Sequence, residues 1–148
     1  GWSRTKKINK VFKTFYDKKG FEKVLREVDV HVCLLPLTSD TEKIFNSSTF
    51  SKMKDGVCFI NAGRGRHVEE KDLLVFTKNK IKLAILDVFC EEPLKKNHPL
   101  WRQKNIIIWP HVSAETNVDT AAEQIARAIK LIHSNKIPEN KINLDIGY

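Results

Sequence analysis

The chain has 148 residues, of which 41% are hydrophobic, enough to build a core in one domain or in a piece of a larger protein. Its net charge of +8 comes mostly from lysines spread along the chain, without the mixture of arginine and exposed aromatics that nucleic-acid-binding stretches carry, so nucleic acid is not an expected partner. No apolar run approaches the ~18 residues of a membrane span and the opening GWSRTKKINK has no signal-type apolar stretch, so a cytoplasmic protein without a membrane partner is expected.

In chain order, apolar runs alternate with amphipathic ones. The segment 28–35, VDVHVCLL, is short and β-branched and predicts a strand that Pro36 stops. Residues 39–53 predict a helix in part, with Ser39 or Asp40 as its cap. Asp55-Gly56 predicts a turn, and VCFIN (57–61) the next strand. Acidic residues in the first turn favour a helix over 69–78. LAILDVF (83–89) has little alternation, as in a strand covered on both faces, and 105–110 predicts another. The run 121–135 predicts an amphipathic helix with Ile125, Ile129 and Ile132 on one face and Asn135 at its end.

Strand–helix alternation predicts an α/β fold with a parallel sheet wound by helices, whose ligands bind at the carboxyl ends of the strands. Those ends carry chemically capable residues here: Asn61 to Arg64, Asp87 with Glu91 and Glu92 beyond it, and His111 after Trp109-Pro110. A histidine paired with a carboxylate is a tuned acid or base, and an arginine beside it can hold a substrate carboxylate. That set fits reduction of a 2-keto acid, with the imidazolium protonating the forming alkoxide as a hydride arrives.

Other chemistries find no support. There is no GxSxG, and Cys33, Cys58 and Cys90 form no CxxC, reading instead as buried thiols. No metal-ligand spacing occurs, since His98 and His111 are too far apart for a helical pair. His31 reads as a satisfied structural imidazole, and His67 and His133 as surface groups.

The motifs INAGRGRHVEEKDLL, AILDVFCEEPL and HPLWRQKNIIIWPHVSAET, with the ending LDIGY, resemble those of the nicotinamide-dependent D-2-hydroxyacid dehydrogenases, the glyoxylate/hydroxypyruvate reductases being the nearest branch. The resemblance runs over nearly the whole chain and implies a Rossmann-like domain. It places the catalytic arginine on Arg64, its carboxylate on Glu92 and its acid/base histidine on His111, with Arg64 and His111 also binding substrate. It further implies that Asp87 meets the nicotinamide amide, that Leu35 and Pro36 lie under the cofactor, and that Ala62, Gly63, Ser113 and Ala114 line the nicotinamide end. On this view Gly63 and Gly65 let the chain pass closely by the cofactor. Homodimerisation through this half is implied by the resemblance alone. Relatives that act as nucleotide-sensing corepressors keep the same triad, so a protein-binding module is the alternative.

By the same resemblance the first residues end the strand that meets the adenosine ribose. An acid there would select NAD; Ser3, Arg4, Thr5 and Lys6 instead suit a 2′-phosphate, so NADP is the expected cofactor, with NAD possible. The fingerprint GxGxxG is absent, because Val68 stands where Gly63 and Gly65 would need a third glycine. The chain is therefore expected to be the C-terminal part of a longer enzyme, with residues 115–148 returning toward a substrate domain. The first strand of a 3-2-1-4-5-6 sheet would be lacking. Strands 28–35 and 57–61 would then have lost what lies between them, leaving apolar edges, poor solubility or association, and little activity in isolation.

Overall fold

The computed structural model describes residues 1–144; the last residues of the LDIGY ending, 145–148, lie outside them. The chain divides into two compact units, Gly1–His111 and Val112–Tyr148. The first opens with two short parallel strands, β1 (Trp2–Ser3) and β2 (Phe15–Tyr16), the second running straight into helix α1 (Asp17–Glu27). This helix is not among the predicted elements, although Phe21, Val24, Leu25 and Val28 recur at helical spacing in its lysine-rich sequence. It is anchored through buried Leu25 and through Phe21, whose ring lies 4.8 Å from that of Trp2.

The main sheet follows: β3 (Val30–Cys33), helix α2 (Ser47–Lys52), β4 (Val57–Asn61), helix α3 (Glu70–Phe76), β5 (Ile81–Leu86) and β6 (Ile106–Ile108). Its strands are parallel in the order β3-β4-β5-β6, the Rossmann-like arrangement expected. β4 has the predicted bounds. β3 and β5 stop short of theirs, so that Leu35, Pro36 and Asp87 fall in the loops at the strand ends.

The helix expected within 39–53 begins only at Ser47, because its cap is Asn46 and not Ser39 or Asp40. The Asn46 side chain accepts from the amides of Ser48 and Thr49, and the Thr49 hydroxyl accepts from the Asn46 amide at 2.9 Å, a reciprocal capping box. Upstream, the Thr41 hydroxyl competes for the backbone. It donates to the Pro36 carbonyl at 2.7 Å and accepts from the Thr38 amide at 2.8 Å, which holds the segment in turns.

The ladder register sorts the side chains. His31, Cys33, Phe59, Asn61, Ala84 and Leu86 share one face and are buried against a core that includes Leu25, Phe50 and Leu73 from α1, α2 and α3. The rings of Phe45 and Phe50 meet that of Phe59 edge-on at 4.8 and 5.6 Å. The other face carries Val30 and Val32, which are exposed, and Ile60, Leu83 and Ile85, which are half-buried. The weak alternation of β5 therefore does not mean full cover on both faces. The expected gap between the strands at 28–35 and 57–61 is also absent: β3 pairs directly with β4, Val30 opposite Cys58 and Cys33 opposite Asn61. The main sheet's open edge lies on β3 alone at this side, and β1 and β2 form a separate two-stranded sheet.

The second unit contains helix α4 (Val118–His133), three residues longer at its start than predicted because Asn117 caps it by accepting from the Thr120 amide at 3.0 Å. Asn135, with φ of 54°, follows its end in the left-handed region. Among the described residues no helix is long and apolar enough to cross a membrane.

His31 corrects another expectation. It is buried, but its Nε2 has no hydrogen-bond partner, so it is not a fully satisfied imidazole. Burial pushes its pKa down, against a smaller opposing bond to the Leu25 backbone, and burial likewise depresses His67. Both folded-state values lie below the ordinary 6.5, so the unfolded chain takes up protons first as pH falls. The stability present above that pH is lost below it, with a slope of up to about 1.4 kcal/mol per pH unit from each group. Unfolding temperature is expected to fall between pH 7 and pH 5, above the range where the carboxylates titrate. The dependence should be shallower in His31→Leu; thermal unfolding across that interval checks both points.

Candidate active site

The carboxyl ends of β3, β4, β5 and β6 emit four loops on one edge of the sheet. After β4 the chain turns within four residues. Asn61, buried at the strand's end, spans the turn with both ends of its amide, Oδ1 accepting from the Gly63 amide at 3.2 Å and Nδ2 donating to the Arg64 carbonyl at 3.0 Å. A 3₁₀ turn, Gly65–His67, follows and leads to α3. Arg64 is exposed, and its Nη1 donates to the Gly63 carbonyl at 2.7 Å.

The two glycines prove to answer the protein's own packing. A Cβ on Gly65 would overlap the Phe89 carbonyl and the Cys90 nitrogen, so this glycine lets the loop after β5 lie directly on the Arg64 turn. A Cβ on Gly63 would sit 3.0 Å from His67 Nδ1 and 3.2 Å from the Leu35 carbonyl oxygen.

That loop after β5 carries Asp87, buried, its amide donating to the Asn61 carbonyl at 3.0 Å, and then Glu92. Glu92 Oε1 accepts from the Phe89 amide at 2.9 Å, which folds the loop back on itself, and Glu92 Oε2 lies 2.8 Å from His111 Nδ1. His111 follows β6 and Pro110 with φ of 59°, a left-handed conformation that costs an L-residue about 1 kcal/mol or more and is concentrated at functional positions. Burial opposes ionisation of Glu92 and is the largest single influence on it. The bonds from His111 and the Phe89 amide, with the charges of His111 and Arg64, outweigh it and hold the carboxyl below its ordinary range. Glu92 is therefore an anion near neutral pH that fixes His111 through Nδ1, leaving Nε2 as the ring atom for proton transfer. Glu92 and His111 thus meet directly, and Arg64, on the neighbouring loop, acts on Glu92 through its charge. Glu91 is engaged elsewhere, with Lys95 at 2.9 Å. Beside the dyad, a small cavity of about 180 Å³ is lined by Phe89, Leu94, Trp101 and Ile108.

The remaining predicted residues are placed unevenly. Leu35 is half-buried and Pro36 exposed in the loop after β3, beside Ala62 and Gly63. Ser3 ends β1, its hydroxyl donating to the Thr5 carbonyl at 2.8 Å; Arg4 faces Asp40 at 3.8 Å; Thr5 and Lys6 are exposed. Ser113 and Ala114 belong to the second unit.

His67 is the residue that sequence reading misplaced. It is not a surface group but fully buried, and its Nδ1 accepts from the Arg64 amide at 3.0 Å while Nε2 lies 3.2 Å from the Pro36 carbonyl. The available signal was its position three residues after Arg64 in a glycine-rich turn, where a side-chain acceptor can reach a free amide.

A four-stranded parallel sheet thus carries an Arg and a hydrogen-bonded Glu–His pair on the loops at its carboxyl edge, the edge at which sheets of this class bind their ligands. Residues 1–113 match the family described as D-isomer specific 2-hydroxyacid dehydrogenase, NAD binding domain, and the chain belongs to that family. It is 40% identical to glyoxylate/hydroxypyruvate reductase A of Photorhabdus laumondii, over 99% of this chain and 47% of that protein. Among solved structures, a D-isomer specific 2-hydroxyacid dehydrogenase from Xanthobacter autotrophicus in complex with NADPH and MES superposes with a TM-score of 0.97 at 33% identity, covering 100% of this chain and 62% of that one. An NADPH-dependent glyoxylate/hydroxypyruvate reductase from Sinorhizobium meliloti in complex with NADP and sulfate gives 0.93 at 35% identity, covering 100% and 48%. The chain spans about half the length of the curated relatives it matches.

Proposed function

We propose that the protein bearing this domain reduces a small 2-oxo acid, glyoxylate or hydroxypyruvate, to the 2-hydroxy acid with NADPH, the product from hydroxypyruvate having the D configuration. The carrying observation is the 2.8 Å bond between Glu92 Oε2 and His111 Nδ1, with Arg64 close enough to bias Glu92. Arg64 binds the substrate carboxylate and polarises its carbonyl; His111, held by Glu92, delivers a proton from Nε2 to the forming alkoxide. The reduced nicotinamide supplies the hydride.

The donor set suits a phosphorylated dinucleotide. Ser3, Thr5 and Lys6 offer hydroxyls and positive charge at the end of β1, and Arg4 adds a guanidinium that it shares with Asp40. Leu35, Pro36, Ala62, Gly63, Arg64, Asp87 and His111, with Ser113 and Ala114 beyond, are proposed to hold the nicotinamide half. Residues 115–148 are proposed to lead toward a substrate domain. Ile125, Ile129 and Ile132 on α4 are exposed and give a homodimer an apolar stripe to use.

The test follows loss of reduced-nicotinamide absorbance by the full-length protein with glyoxylate and with hydroxypyruvate. Turnover with NADPH, and at least about tenfold lower kcat/KM with NADH, is expected. No turnover with either keto acid removes the proposal, and preference for NADH removes the role of residues 3–6.

A further inference from the structure

The loops after β3 and β4 run side by side because their strands are paired. At one end the Ala62 amide donates to the Cys33 carbonyl at 3.2 Å, extending the ladder by one bond. At the other, the Lys43 and Phe45 amides donate to the Arg66 and His67 carbonyls at 2.8 and 2.9 Å. Between these two sets lie Leu35 and Pro36 on one strand's loop and Gly63 and Arg64 on the other's, and the His67 imidazole spans that stretch.

Its tautomer follows from its partners. The Arg64 amide can only donate, so Nδ1 is the acceptor; the Pro36 carbonyl can only accept, so Nε2 carries the proton. The Pro36 oxygen takes the Thr41 hydroxyl at 2.7 Å as its second donor, which fills both lone pairs. Cys33 Sγ lies 3.6 Å from Nδ1, and burial pushes that thiol's pKa up, so it brings no charge to the ring. Burial alone demands partners for both nitrogens; what distinguishes this histidine is that they come from the two loops that flank the site.

We propose that His67, as the neutral Nε2–H tautomer, is a positioning residue that sets the Arg64 turn and the Leu35–Pro36 loop against each other with one side chain. The functional part of this inference rests on the reductase reading, in which Arg64 meets the keto acid and Leu35–Pro36 the cofactor. The imidazole is then the physical link between the two binding events, although it touches neither ligand. The turn places Arg64 through its backbone, so an error at His67 reaches the guanidinium without removing it.

Two half-replacements in the full-length protein separate the two bonds. His67→Asn keeps an acceptor near Nδ1 and loses the reach to Pro36. His67→Gln reaches toward Pro36 and loses the acceptor near Arg64. His67→Gln is expected to lower kcat/KM for the keto acid about tenfold with a smaller change in NADPH KM. His67→Asn is expected to raise NADPH KM several-fold, with kcat/KM for the keto acid less affected, and His67→Leu to show both losses. Equal effects of Asn and Gln on both ligands, or a change in unfolding temperature alone, overturn the proposal.

Nitrogen NMR of the wild-type imidazole at neutral pH gives a readout free of turnover. A protonated Nε2 with an unprotonated Nδ1 is expected; the opposite tautomer or an imidazolium overturns it. If the wild type reduces no keto acid, the reductase reading fails by itself. The nitrogen spectrum and NADPH titration of His67→Asn, where weaker binding is expected and unchanged binding overturns the link to the Pro36 loop, then decide His67.

Discussion

Replacing His111 by Asn in the full-length protein is expected to lower kcat by about three orders of magnitude, within the range that a positioned general acid contributes. Asn is the informative choice. It can still donate to Glu92 Oε2, and among L-residues it tolerates the left-handed backbone that His111 adopts. The site is half exposed, so no cavity opens and stability should stay within about 0.5 kcal/mol. What Asn lacks is a proton it can give up from the Nε2 position. Binding of NADPH, measured by direct titration, should be unchanged, and the loss should fall on kcat and kcat/KM together. A variant that keeps more than about a tenth of the wild-type kcat would show that His111 is not the acid.

Arg64→Lys is expected to lower kcat/KM for the keto acid by about two to three orders of magnitude, the scale of losing one partner of a charged, hydrogen-bonded pair. Lysine keeps the charge but not the planar fork that engages a carboxylate with two parallel bonds. Most of the loss should appear as a raised KM for the keto acid, with little change in KM for NADPH. Arg64→Gln removes the charge as well. Because Arg64 is one of the groups that hold Glu92 below its ordinary range, its removal should raise the acidic limb of the pH–kcat profile. Steady-state kinetics over a pH series reads both effects. Equal kinetics in Arg64→Lys and the wild type would remove the bidentate role, and an unmoved acidic limb in Arg64→Gln would remove the electrostatic one.

Much of the fold was legible because its signals are local. The strand VCFIN was readable to the residue, since a five-residue apolar run between a turn and a glycine-rich segment has few other conformations. That Arg64, Glu92 and His111 lie on one edge was readable for a related reason: a parallel sheet sends the loops after its strands to the same edge, although Glu92 is brought to His111 only by the fold of its own loop. What escaped was decided by contacts distant in sequence. Helix α1 is a different case, since its apolar stripe Phe21, Val24, Leu25 and Val28 was there to be read. The late start of α2 depends on the Thr41 hydroxyl capturing the Pro36 carbonyl. The pairing of β3 with β4 could not be inferred from either strand, because both present the same β-branched pattern to any neighbour.

By itself the sequence determined that the chain alternates strand and helix, that Arg64, Glu92 and His111 belong to one edge, and that the first residues are basic and hydroxyl-bearing where an acid would favour the unphosphorylated dinucleotide. The alternation and the shared edge follow from residue type and spacing, whereas the choice of Glu92 over Glu91 and the meaning given to residues 3–6 are what the family resemblance implies. Only the tertiary structure decided why the arginine is flanked by glycines and what holds it. Gly65 is required by the Phe89–Cys90 backbone that crosses it, and His67 is drawn into the interior by an amide and a carbonyl from two different loops. An imidazole's place is set by the partners that satisfy its two nitrogens, and those are assembled only when β3 and β4 pair.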